Sequence, residues 1–175
     1  MSFLKDIEIS IISHEIGLVK ARVYLEGPKG AAAWAPQVLA THSFDNPPPL
    51  DVLLVPGGVL ADKDAPALND FIAKQYPTLE YLLSVCTGAI NLADSGALEG
   101  KRATSNKAVW DTVITHGKNV TWVPTARWVT DGNVWTSSGV AAGEFRINLT
   151  EWLDPNSDHP RRHRHDVRFP CALLQ

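Results

Sequence analysis

Two short apolar runs constrain this chain more than any other feature. Val52–Val55, within DVLLVPGG, and Tyr81–Val85, within YLLSVCTG, are almost wholly apolar, and each stops at small or helix-breaking residues. Such runs suit strands buried on both faces, as in a parallel sheet covered by helices. A helical pattern follows each. Leu68, Phe71 and Ile72 fall on one helical face before Pro77, and Ala89, Ile90, Leu92 and Ala93 on another before a capping Gly96. Asp64 is suited to cap the first of these helices, with Pro66 in its first turn. Strands alternating with helices through short Gly-rich connections imply an α/β protein.

The remaining segments fit the same scheme. Residues 7–13 are rich in isoleucine and read as a strand, and residues 20–25 as a short second one. Residues 27–34 are Gly/Ala-rich and read as loop. The three prolines of FDNPPPLD exclude helix and central strand, so this stretch is a connector. LEGKRATS turns at Gly100 into a short strand. A helix over 107–116 would bury Val109, Trp110, Val113 and Ile114 and end at Gly117. ARWVTDGNVWTSS predicts a hairpin with Asp131-Gly132 as its two-residue turn, both at positive φ. A further helix is expected to reach Leu153, and residues 154–175 show no periodicity.

With 175 residues and 45% hydrophobic content, one domain with a sizeable core is expected. A formal net charge of -3 argues against nucleic acid or an acidic membrane as partner. No signal-peptide pattern and no bilayer-length apolar run are present. Two widely separated cysteines, Cys86 and Cys171, do not make a disulfide framework, which favours a reducing, cytoplasmic setting.

Cys86 is the candidate for chemistry. It follows a buried strand and precedes a helix, the corner at which open α/β sheets bind ligands. The positive end of the helix dipole there favours thiolate over thiol. Ser84 and Gly88 place small residues two positions either side, as a tight nucleophile elbow requires. Free cysteine is also among the most buried residue types, so an apolar-Cys-Gly string by itself is more often core than catalytic. The glycines of VPGG, Gly57 and Gly58, allow close backbone approach. Their amides, with that of Thr87, are candidate oxyanion donors.

The blocks DVLLVPGG, LLSVCTGAINLADSGALEGKRATSN and ARWVTDGNVWTSSGVAAG together resemble the ThiJ/PfpI superfamily. That group includes the Parkinson-associated deglycase and bacterial isocyanide hydratase, and is related to class I glutamine amidotransferases. The likeness spans about residues 7–143 and is nearest to the isocyanide-hydratase-like branch. It implies a flavodoxin-like three-layer α/β/α sandwich, a homodimer, and Cys86 as nucleophile, with Gly57, Gly58 and Thr87 about the oxyanion. No cofactor or metal is implied. Where many relatives carry a histidine, this chain has Asn106, a pocket residue unable to act as a base.

The chain also departs from that pattern. Residues 1–153 form the ThiJ/PfpI-like domain, but they open on what resembles the family's second strand. The first strand, and the acidic residue that assists the cysteine, have no counterpart. Glu15 and His14 lie on the wrong side of the motif and read as solvated loop. A flavodoxin-like sheet would then hold an empty slot beside residues 7–13, to be filled by another segment or a partner chain, or else left unstable. Residues 154–175 read as a disordered basic tail. An altered start and end together suggest a mis-spliced or mis-predicted gene product.

The function this implies is a cysteine-nucleophile hydratase or hydrolase acting on a small electrophile, an isocyanide or a carbonyl, impaired by loss of the acid. The alternative is a non-catalytic redox-sensing or binding domain with an oxidisable thiol. Glutamine amidotransfer is disfavoured, because no His-x-Glu triplet follows the cysteine. No His/Cys/Asp cluster has metal-ligand spacing in the core.

Overall fold

The structure is a computed structural model that describes residues 8–20, 37–58, 65–139 and 171–172. The two apolar runs are strands: β5 (Val52–Val55) and β6 (Tyr81–Val85) pair in parallel, with Val55 opposite Ser84. With β1 (Ile11–Ser13), β4 (His42–Ser43), β9 (Trp128–Asp131), β10 (Val134–Ser137) and β11 (Cys171–Ala172) they form a sheet ordered β4-β1-β11-β5-β6-β10-β9 among the described residues. Only β9, at one edge, runs antiparallel to its neighbour.

Helix α1 (Ala65–Gln75) and helix α2 (Gly88–Asp94) follow β5 and β6. Leu68, Phe71 and Ile72 of α1 are buried with Leu92 and Ala93 of α2 against Leu53, Val55, Leu82 and Val134 of the sheet. Each fully buried aliphatic side chain here contributes about 1.5–3 kcal/mol. Asn91 Nδ2 donates to Asn69 Oδ1 at 3.1 Å and ties the two helices together. Gly96, at φ +85°, terminates the second as its spacing predicts.

The slot beside β1 is filled by another segment, the first of the three expected outcomes: β11 lies in it, parallel to β1 and β5. Other expectations need correction. The two residues of β11 belong to the stretch expected to be a disordered tail, whose other residues, like the expected helix to Leu153, lie outside the described ones. A second strand, β2, is described over Gly17–Lys20, reaching the start of the expected 20–25, and it pairs with β3 (Gln37–Ala40), a strand the sequence did not predict. The loop over 27–34, the rest of 20–25 and the Asp64 cap also lie outside the described residues. The first helix stops ahead of Pro77 as expected: the α-helix ends at Gln75 and tightens into a 3₁₀ turn, Tyr76–Thr78.

The predicted helix over 107–116 is a 3₁₀ turn, Lys107–Val109, followed by the four-residue helix α3 (Trp110–Val113). Only Val113 of its expected core face is fully buried, and Ile114 is 49% exposed. The hairpin exists, but its two-residue loop is Gly132-Asn133, because Asp131 pairs with Val134. Gly132 alone takes positive φ, at +61°, as a type II′ turn needs at its first central position. Beside it, β7 (Arg102–Ala103) pairs with β8 (Thr121–Trp122), a strand too short to leave a periodic signal.

Candidate functional site

The strand registers decide what meets at the site. Ser84 lies between Val55 and Thr136, and Val85 opposite Ser137, so β5, β6 and β10 finish together. Their C-terminal ends bring Pro56–Gly58 and Cys86–Thr87 side by side, and ligands collect at such ends in open α/β sheets.

Cys86 occupies the turn between β6 and α2 with φ +58°, the left-handed region. For a residue bearing a Cβ, that conformation costs about 1–2 kcal/mol. Its surroundings hold it there. The Cys86 N–H donates to the Ser137 carbonyl at 3.0 Å, and the Ser105 hydroxyl donates to the Cys86 carbonyl at 2.7 Å. Strain fixed from both sides in this way is the mark of an elbow that projects its side chain. The residue is half-buried, so the core-cysteine alternative does not describe it.

Gly57 lies directly against the thiol. A Cβ at Gly57 would come within 2.7 Å of Cys86 Cβ and 3.1 Å of Sγ, so only glycine fits without movement. Gly88 is required for the same kind of reason: a Cβ there would lie 2.7 Å from the Pro56 carbonyl oxygen. Small residues around the elbow therefore bring the β5 loop and the β6 turn into contact.

Gly58 and Thr87 are brought together too, but not in the way the sequence implied. The Gly58 N–H donates to Thr87 Oγ1 at 3.0 Å, and the Thr87 hydroxyl donates back to the Gly58 carbonyl at 2.9 Å. The amide expected to face a ligand is therefore engaged by the threonine side chain. No acceptor for the Thr87 N–H is present among the described residues.

Asn106 reaches the sulfur. Its Nδ2 donates to Cys86 Sγ at 3.0 Å, while its Oδ1 accepts the Ala108 N–H at 2.9 Å and caps the 3₁₀ turn. The loop carrying it is anchored by Thr104, whose N–H donates to Thr136 Oγ1 at 2.8 Å and whose hydroxyl donates to the Val123 carbonyl at 2.9 Å. Lys107 Nζ donates to Thr104 Oγ1 and lies 4.2 Å from the centre of the Trp110 ring. Burial lowers the Lys107 pKa. Ser105 and Ser137, which hold the Cys86 backbone, were missed in the sequence; the run of small polar residues in RATSN was the available signal.

Glu15 and His14 form an exposed pair 3.2 Å apart. No group of three or more His, Cys, Asp or Glu residues able to hold a metal occurs among the described residues. No helix among them is long and apolar enough to cross a membrane.

Residues 5–151 match the DJ-1/PfpI family. Isonitrile hydratase of Pseudomonas putida is 39% identical over 122 residues, a match covering 67% of this chain and 51% of the relative. A deglycase of Pyrococcus horikoshii is 31% identical over 150 residues, covering 83% of this chain and 78% of the relative. This chain thus spans about half the length of the isonitrile hydratase it matches. Among solved structures, a ThiJ/PfpI family protein from Pseudomonas syringae superposes with TM-score 0.63 at 27% identity, covering 83% of this chain and 57% of that one.

Proposed function

The chain belongs to the DJ-1/PfpI family, with its α/β, flavodoxin-like fold, and we propose that Cys86 is the nucleophile of a hydratase or hydrolase acting on a small electrophile, an isocyanide or a carbonyl. The observation that carries this reading is the elbow: a half-buried cysteine at φ +58°, with a side-chain amide donating to its sulfur.

For an isocyanide, the Cys86 sulfur bonds to the terminal carbon, and the thiol proton is transferred to that same carbon. The product is a thioimidate on the enzyme. Water then adds to this carbon and the C–S bond breaks. The sulfur regains a proton and an N-substituted formamide leaves, so the net reaction is addition of one water. The Asn106 amide donates to the sulfur while it carries negative charge, and the Thr87 N–H faces charge on the substrate. Among the described residues no carboxylate bonds to Cys86 Sγ, so proton transfer depends on the thiol itself and on water, and turnover is slow. The test is formamide production from an aryl isocyanide by the protein and by Cys86→Ala. Equal rates remove the enzymatic reading.

A second reading uses the same thiol without turnover. The amide beside Cys86 donates a hydrogen bond but cannot exchange a proton, which suits a stoichiometric, oxidisable cysteine. Selective oxidation of Cys86 by dilute peroxide, read by intact mass, supports it when isocyanide turnover is absent. The proposal further includes a small-molecule ligand, no cofactor, a cytoplasmic location and a homodimer. Leu18 and Leu39, opposite each other on β2 and β3 and 68% and 57% exposed, support the last. A monomer mass by light scattering removes it.

A further inference from the structure

The order of the main sheet contains a discontinuity in chain order. β1 and β5 do not pair with each other; both pair with β11. Ile11 and Ile12 lie opposite Cys171 and Ala172, and Cys171 lies opposite Leu54 on the other side. Two residues thus join β4–β1 to β5–β6–β10–β9. Neighbouring strands lie about 4.7–4.9 Å apart, so the flanking strands face each other across roughly twice that distance. Neither can satisfy the other's backbone groups over such a gap, and both edges require an inserted strand.

The sequence around β11 suits insertion. Cys171-Ala172-Leu173-Leu174 is a short apolar run of the kind found in strands buried on both faces. Pro170, immediately before it, has no N–H to leave unpaired and is tolerated at the start of a strand. The charged residues of HPRRHRHDVR precede this run and do not interrupt it.

We propose that the groove between β1 and β5 is a strand-binding site, that its ligand is the chain's own strand β11, and that it accepts this strand when a separate peptide carries it. Recognition is by parallel main-chain pairing to both walls. This does not depend on any activity at Cys86.

The first test uses the full chain. Amide exchange at residues 171–172 is expected to be at least about a hundredfold slower than in a free peptide. Ala172→Pro removes a ladder donor and is expected to speed exchange in β1 and β5. Exchange at the free-peptide rate in the unmodified chain overturns the proposal, whatever happens to the variants. The second test removes residues 169–175 and adds back, under reducing conditions, the synthetic peptide FPCALLQ. The shortened chain, refolded with the peptide if needed, is expected to gain about 5 °C in melting temperature. A scrambled peptide and one carrying Ala172→Pro are expected to give no gain. Equal gains from all three, or a shortened chain as stable as the full one, overturn it.

Discussion

Asn106 Nδ2 donates to Cys86 Sγ at 3.0 Å, and the amide cannot turn round to accept instead, because its Oδ1 is held by the Ala108 N–H. A hydrogen bond to a charged group is worth about 1.5–3 kcal/mol. Asn106→Ala is therefore expected to slow alkylation of Cys86 by iodoacetamide at neutral pH about tenfold or more. Asn106→Asp replaces the donor with a negative charge and is expected to slow it further. Unchanged rates in both variants would show that the contact does not matter to the sulfur.

The left-handed backbone of Cys86 has a measurable cost. Cys86→Gly removes the Cβ that makes φ +58° unfavourable, whereas Cys86→Ala keeps it. Both lose the sulfur. The glycine variant is expected to be about 1 kcal/mol more stable than the alanine variant in urea denaturation, the reverse of the usual order for exposed positions in helices. Alanine proving the more stable would mean that the elbow carries no strain.

Ser84 Oγ is fully buried and lacks a hydrogen-bond partner among the described residues. Burying an unpaired hydroxyl costs about 1–3 kcal/mol. Ser84→Ala is expected to raise stability by about 1 kcal/mol. A loss of stability would point to a bound water or another unseen partner for the hydroxyl.

Burial lowers the pKa of Lys107 from its ordinary 10.5. Between the lowered folded value and the ordinary one, the unfolded chain holds more of this proton than the folded chain does. Stability attributable to Lys107 therefore rises with pH across that window. Comparing Lys107→Met with the unmodified protein isolates the effect from other titrations. The difference in denaturation midpoint is expected to shift in favour of the unmodified protein from about pH 9 to about pH 11. A shift the other way would mean that the Trp110 ring and Thr104 hydroxyl stabilise the ammonium more than burial disfavours it.

Gly57→Ala tests the contact between loop and nucleophile. Its Cβ would lie within 2.7 Å of Cys86 Cβ, so one of the two loops must move. Overpacking of this sort costs about 1–3 kcal/mol. The variant is expected to lose that much stability and to change the alkylation rate of Cys86. Wild-type behaviour in both would show that the β5 loop yields freely.

Residues 52–55 and 81–85 revealed their strands because burial on both faces leaves an apolar run that needs no neighbours to interpret. Cys86 was legible for a related reason, since a tight turn requires small residues at fixed offsets. The two-residue strands β4, β7, β8 and β11 are too short to carry a period, and only β7 was anticipated. Their existence depends on what lies beside them. The same limit applies to Ser105 and Ser137, whose importance comes from a left-handed residue distant in sequence. Gly132-Asn133 was misplaced by one residue because Asp-Gly and Gly-Asn both suit tight turns, and only pairing with β9 distinguishes them. Gly58 was given a free amide because sequence carries no information on which side chain folds back over it.

The hairpin loop at Gly132-Asn133 acts as a ruler for the chemistry at the opposite end of its strand. Its Asn133 carbonyl accepts the Leu82 N–H at 2.9 Å and so pins β10 to β6 at one end, while, four residues on, the Ser137 carbonyl receives the Cys86 N–H. One extra residue in that distant bend would advance the strand by a single step, turn the Ser137 oxygen away and release the cysteine from its clamp. Changes at a solvent-washed corner of the molecule, far from the thiol, can thus silence it without touching anything nearby.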